Sequence, residues 1–123
     1  MKNKLFLNMI YVKKSPPFGY GVFAGKKLRK GELIEECYFI LSKGGDKTLA
    51  DFYFDANGKY ALFLGYGSIY NHSDDANADY IINRKTRIAT IRAERTIAKG
   101  AEIFLSYGED WFSSRGKTYK KNI

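Results

Sequence analysis

Across its 123 residues the chain never holds a helical apolar period for more than a turn or two. Apolar and β-branched residues come instead in short runs, alternating with polar ones and broken by Gly, Pro and Asn. Side chains that change face at every residue suit strands, so the pattern predicts a β-rich domain built from small sheets. Strands are expected at residues 9–12, 22–24, 33–41, 52–54, 59–63, 78–82, 87–91 and 102–107. Asp55-Ala56-Asn57-Gly58 and Asn83-Arg84-Lys85-Thr86 each lie between two such runs and predict hairpins. Residues 49–54 and 67–71 are the best helical segments.

The sequence echoes itself once. Leu28-Arg29-Lys30-Gly31-Glu32-Leu33-Ile34 resembles Ile97-Ala98-Lys99-Gly100-Ala101-Glu102-Ile103. In both, Lys-Gly precedes an acid and a strand, so Gly31 and Gly100 are expected to supply the positive φ of a tight turn. Two units this far apart do not make a solenoid.

The length allows one domain, and 45% hydrophobic with 28% charged residues is a globular composition. Ten Tyr, nine Phe and one Trp exceed what packing alone asks for and suggest an aromatic-lined pocket. The formal net charge of +8 favours polyanionic partners. After Asp110, Arg115, Lys117, Lys120 and Lys121 stand without an acid, so residues 113–123 read as a solvated basic tail beyond a domain of residues 1–112. The single cysteine, Cys37, lies in an apolar run and reads as a buried small hydrophobe. One cysteine and one histidine, His72, exclude a disulfide framework and leave a zinc cluster or a His-based triad without partners, so no metal is expected. The first eleven residues are too short and interrupted for a signal peptide, and no run approaches a membrane span. The expectation is a soluble intracellular protein, with cytoplasm and host nucleus both open.

Three segments carry chemistry. Gly19-Tyr20-Gly21-Val22-Phe23-Ala24 lets a backbone approach a ligand where no Cβ intervenes, or is an ordinary glycine turn. It lacks the third glycine and the helix of a dinucleotide fingerprint. Tyr70-Asn71-His72-Ser73 contains an amide that both donates and accepts, which suits a zwitterionic amino-acid moiety; the His72 ring reads as structural. Glu102-Ile103-Phe104-Leu105-Ser106-Tyr107-Gly108-Glu109-Asp110-Trp111-Phe112 brings Tyr107 to the end of a strand, followed by a glycine, two acids and two aromatics.

In this order, with the Lys-Gly-Glu turn at Lys30 to Glu32 between them, the three segments resemble the SET family of protein lysine methyltransferases. The likeness runs from about Ile10 to Phe112. Val12 to Pro16, Gly31 to Cys37 and Asn71-His72-Ser73 resemble the minimal SET proteins of chlorella viruses, and the many Lys, Asn, Ile and Tyr point to a viral or bacterial source. The resemblance implies a SET fold: small curved sheets around a C-terminal pseudoknot that brings Asn71 and His72 beside Tyr107. It implies S-adenosylmethionine as cofactor, held by Gly19, Tyr20, Gly21, Asn71, the His72 backbone and Tyr107. Tyr107 and Tyr20 are the implied catalytic residues. Tyr20, Phe52, Phe54, Tyr107 and Trp111 would line the lysine channel, Phe52 and Phe54 being equally readable as core. The implied partner is a protein with an exposed lysine, a histone tail favoured, with nucleosomal DNA contact and a homodimer as further expectations. Two other readings remain: a SET-derived binding module without catalysis, and a basic β-barrel that binds nucleic acid through its aromatics.

Overall fold

Turn chemistry sets the plan of the chain. The structure, a computed structural model, describes residues 4–17, 19–43, 52–56 and 59–106. Among these residues nine strands form: β1 Ile10–Lys14, β2 Tyr20–Ala24, β3 Leu33–Ser42, β4 Tyr53–Ala56, β5 Lys59–Phe63, β6 Asn71–His72, β7 Ala78–Asn83, β8 Ile88–Ala93 and β9 Glu102–Leu105. Every run expected from alternation overlaps one of them. Only β6 has no counterpart, because two residues cannot show a period.

Of residues 67–71, expected as helix, 67–69 form turns and Asn71 already belongs to β6. The Gly67 and Ile69 N–H groups donate to the Leu64 and Tyr66 carbonyls before the chain enters β6. Of the other expected helix, residues 49–51 lie outside the described residues, and Tyr53 and Phe54 belong to β4. There, pairing with β5 outweighs the weak local helical preference.

Two sheets result. One has the order β1-β2-β9-β6, antiparallel except for β6 and β9, which run parallel through Asn71 opposite Phe104 and His72 opposite Leu105. The other has the order β4-β5-β3-β8-β7 and is antiparallel throughout. Both expected hairpins are present, as β4–β5 and β7–β8. The core between the sheets holds Val22, Leu28, Ile34, Phe39, Phe63, Tyr70, Ile91, Ile103 and Leu105. Cys37 is buried among them, and desolvation, aided by Glu35, pushes its thiol far above the ordinary range, so it packs and does not ionise. The threading of the C-terminal segment expected from the pseudoknot lies outside the described residues.

The internal echo has a physical counterpart. Gly31 and Gly100 take φ values of 84° and 86°, and Leu28 and Ile97 bridge by mutual backbone bonds of 2.9 and 2.8 Å. The two Lys-Gly turns thus start from paired backbone. Glu32 fastens the first. Its carboxylate accepts from Lys26 Nζ at 2.7 Å, the Arg29 N–H at 3.0 Å and Asn8 Nδ2 at 3.1 Å. These donors, Lys26 first, lower its pKa from 4.5 to about 2. A carboxylate held lower in the folded than in the unfolded chain adds stability above 4.5 and loses it as pH falls toward 2. Glu32→Gln is therefore expected to make the fall of Tm across that acid window shallower, measured by circular dichroism melts at stepped pH.

Candidate functional site

The sequence-predicted residues Tyr20, Gly21 and Asn71 converge where β2 and β6 reach β9. After β1 the chain turns at Pro16-Pro17, and the Ser15 N–H donates to the Gly19 carbonyl at 2.7 Å, closing the loop. Gly19 takes φ 89°, with open space where a Cβ would stand. Gly21 is the reverse: a Cβ there would overlap the Glu102 carboxylate and come within 2.8 Å of Asn71 Nδ2. Only a residue without a side chain lets these two groups close over β2.

Asn71 Nδ2 donates to the Tyr20 carbonyl at 3.1 Å and to Glu102 Oε2 at 2.8 Å. Two acceptors around one end settle which way the amide points. Its Oδ1 accepts nothing among the described residues, so an acceptor and a carboxylate stand together beside the glycine backbone. The second oxygen of Glu102, Oε1, accepts from Ser15 Oγ at 2.5 Å. Asn77 fixes β9 from the other side, its Nδ2 donating to the Glu102 carbonyl and its Oδ1 accepting from the Phe104 N–H, both at 2.8 Å.

The position of Asn71 is set by the residue before it. Tyr70 is fully buried, and its hydroxyl donates to Glu35 Oε1 at 2.7 Å. Glu35 is only 3% exposed; its other oxygen accepts the Tyr66 N–H at 2.9 Å. A Cβ at Gly65 would stand 2.7 Å from that oxygen. One carboxylate on β3 therefore gathers the turn 64–70 that delivers Asn71. Burial raises the Glu35 pKa against the lowering effect of Tyr70 and Tyr66.

His72 follows on β6, buried, with Nε2 3.3 Å from Asp74 Oδ1. Desolvation lowers its pKa against the pull of Asp74. Its ring sits as the structural reading expected, while its backbone pairs with β9 and the Ser73 N–H donates to the Leu105 carbonyl at 3.1 Å.

The expected channel aromatics separate. Tyr20 is 56% exposed and Phe52 is 47% exposed. Phe54 is 2% exposed, stacked on Phe63 at 4.1 Å and edge-on to Tyr80, which is the placement of a core ring. Tyr107 and Trp111 lie outside the described residues. Sequence reasoning missed Ser15, Glu35 and Glu102 as residues that build the site. For Glu35 a signal existed: it shares the strand parity of Cys37 and Phe39, so an acid was due on the buried face. Ser15 carried none.

The chain matches the family model described as SET domain over residues 19–108. A comparison with curated proteins finds no match. Among solved structures, a candidate histone methyltransferase from Plasmodium falciparum superposes with a TM-score of 0.74 at 33% identity, covering 86% of this chain and 98% of that one. A ctPRC2 structure, in an autoinhibited conformation bound to S-adenosylmethionine, gives 0.69 at 20% identity. That match covers 85% of this chain and only 16% of the other, and it speaks for the fold alone.

Proposed function

The chain belongs to the SET-domain family, and from that premise we propose that it is an S-adenosylmethionine-dependent protein lysine N-methyltransferase. The observation that carries the reading is the node at Gly21. The Asn71 Oδ1, which accepts nothing among the described residues, and the Glu102 carboxylate present negative potential beside the Gly21 backbone. That set fits the ammonium end of an amino-acid cofactor, and it favours a molecule carrying positive charge. S-adenosylmethionine supplies an electrophilic methyl group on a sulfonium.

The protein's task is then to present a neutral amine in line with that methyl. A lysine with a pKa near ~10.4 costs about 4 kcal/mol to deprotonate near pH 7.4. An aromatic channel lowers that cost by desolvation, and a nearby positive charge lowers it further, so no strong base is required. Tyr20, which is exposed, and Tyr107 and Trp111 are the rings assigned to the channel; their faces attract the cation before it loses its proton. The Tyr107 hydroxyl orients amine and methyl, and alignment supplies much of the remaining rate.

The favoured substrate is a lysine in a histone tail. The net charge of +8 does not itself attract a basic tail, so the reading includes a nucleic-acid contact beside the substrate, with Glu109 and Asp110 steering the tail. Residues 1–112 form the catalytic domain, and the tail at 113–123, or a second subunit in a homodimer, closes the site. The protein acts inside the cell, in cytoplasm or nucleus.

The test is transfer of label from S-adenosylmethionine to core histones and, separately, to whole-cell protein extract, with Tyr107→Phe alongside. Label on histone that disappears with the variant is the expected result. Label confined to extract proteins would replace the histone by another substrate. Cofactor binding without transfer would leave a binding module, and neither binding nor transfer would sink the enzyme reading.

A further inference from the structure

An antiparallel sheet with one face on the core ordinarily turns polar residues outward. The larger sheet does not. In β3, Cys37 and Phe39 point into the core, and Tyr38 and Ile40, of opposite parity, point away from it. Pairing fixes what stands beside them. Leu62 lies opposite Ile40, the Leu64 N–H donates to the Tyr38 carbonyl at 3.0 Å, and Ile88 lies opposite Tyr38 on the other flank. The next outward residue of β8, Thr90, pairs with Ile81 of β7. Beyond Leu64 the N-terminal segment continues the flank that β5 began. There Phe6 stands opposite Glu36, its N–H donating to Glu36 Oε1 and its carbonyl accepting the Glu36 N–H, both at 2.9 Å.

Phe6, Tyr38, Ile40, Leu64 and Ile81 are 40–68% exposed, with Leu62 and Ile88 half-buried between them. At about 150–250 Å² for a large side chain, those fractions leave about 450 Å² of apolar surface. The largest apolar patch on a monomer is typically about 300–600 Å² and often serves an interaction.

Shape and charge select the occupant. A single added strand covers about 5 Å of a face that measures about 14 Å from β5 to β7. A second sheet covers it whole, packed about 10 Å away, and a second copy of this chain supplies a sheet of equal width. The outward residues of β3, β5, β7 and β8 include no lysine, and the charged ones are Glu36, Asp79 and Arg92. Such a face has no excess of either sign with which to hold a strongly charged partner.

We propose that two copies of this chain associate by packing the outer faces of their larger sheets, with Tyr38 and Ile40 at the centre. A two-fold contact needs one self-complementary patch and no second surface. Two such patches with their rims bury about 1,200 Å² in total, the low end for a specific interface. Each face points away from the smaller sheet, whose strands carry Gly21, Asn71 and Glu102. The second copy thus stands behind the cofactor node and leaves its closure to the tail. The proposal assigns a surface to the homodimer read above and does not depend on methyl transfer.

The experiment is sedimentation equilibrium of the full chain at about 1–200 µM, in about 0.1 and 0.5 M NaCl. A dimer whose fraction rises with concentration is expected. Each copy carries +8, so salt that screens their repulsion should tighten the dimer. Ile40→Asp and Ile81→Asp should each weaken it by about tenfold or more. Both side chains are exposed, so Tm should stay level, and two variants keep the test independent of how either one folds. Met9→Asp, at an exposed residue outside this face, should leave the dimer intact. A parent chain that is monomeric at every concentration would overturn the proposal. So would a dimer unchanged in both isoleucine variants, one that salt dissociates, or one lost only in Met9→Asp. An intact dimer that binds no S-adenosylmethionine would support this surface and overturn only the enzymatic reading.

Discussion

Gly21→Val will weaken S-adenosylmethionine binding by about 30- to 100-fold, measured by titration calorimetry, while the protein stays folded. The argument is steric and then electrostatic. The groups a side chain would strike are the far ends of Glu102 and Asn71, both of which can swing aside at modest cost. The fold therefore survives, but the hydrogen bonds from Asn71 to Tyr20 and Glu102 do not. A hydrogen bond to a charged group is worth about 1.5–3 kcal/mol, and each 1.4 kcal/mol is tenfold in affinity. Gly19→Ala is the informative partner. Nothing lies within 4 Å of its Cβ position, so its cost is the strain of φ 89°. Equal affinity in the parent and Gly21→Val would remove the node from the cofactor site.

Glu35→Ala will destabilise the chain by about 2–6 kcal/mol, read from the urea midpoint. It takes away the acceptor of both the Tyr70 hydroxyl and the Tyr66 N–H, and each loss at a buried site costs about 1–3 kcal/mol. Against a domain stability of about 5–15 kcal/mol that is a large share. Glu35→Gln keeps an oxygen and removes the charge, and it isolates the pH effect. Burial raises the Glu35 pKa above its ordinary 4.5, so the folded chain binds a proton that the unfolded chain has released. Stability must then fall as pH rises from 4.5 through the raised folded value, opposite in sign to Glu32. In Glu35→Gln that decline should vanish from the Tm profile. Its persistence would place the pH dependence on another group.

Alternation was enough to find eight of the nine described strands, because a buried face leaves its period in the sequence. It could not find β6, whose two residues are held by long-range pairing to β9 and by no local preference. The helix expected over residues 67–71 failed for a related reason. Apolar spacing over those residues does not register the buried Glu35 carboxylate, which holds the turn through the Tyr66 N–H and the Tyr70 hydroxyl. Asn71 and Gly21, singled out through ordered motifs, do stand side by side in the structure. Ser15 and Glu102 were not singled out, since their roles arise from a contact spanning 87 positions of the chain. Phe54 was ambiguous between channel and core in the sequence, and its stacking on Phe63 shows the core placement.

The insertion of β9 between β2 and β6 has a consequence for how the protein is made. This inner strand of the smaller sheet is the last of the described strands to leave the ribosome, and its partner Val22 was synthesised long before Ile103. A nascent chain short of residue 102 has the β1–β2 hairpin and the strands of the larger sheet, yet Asn71 has neither its carboxylate partner nor its strand neighbour. Pairings so distant in sequence close slowly, because the loop must be ordered before the contact rewards it. The node of Gly21, Asn71 and Glu102 is therefore completed only after synthesis has passed β9, and a chain stopped short of residue 102 lacks it.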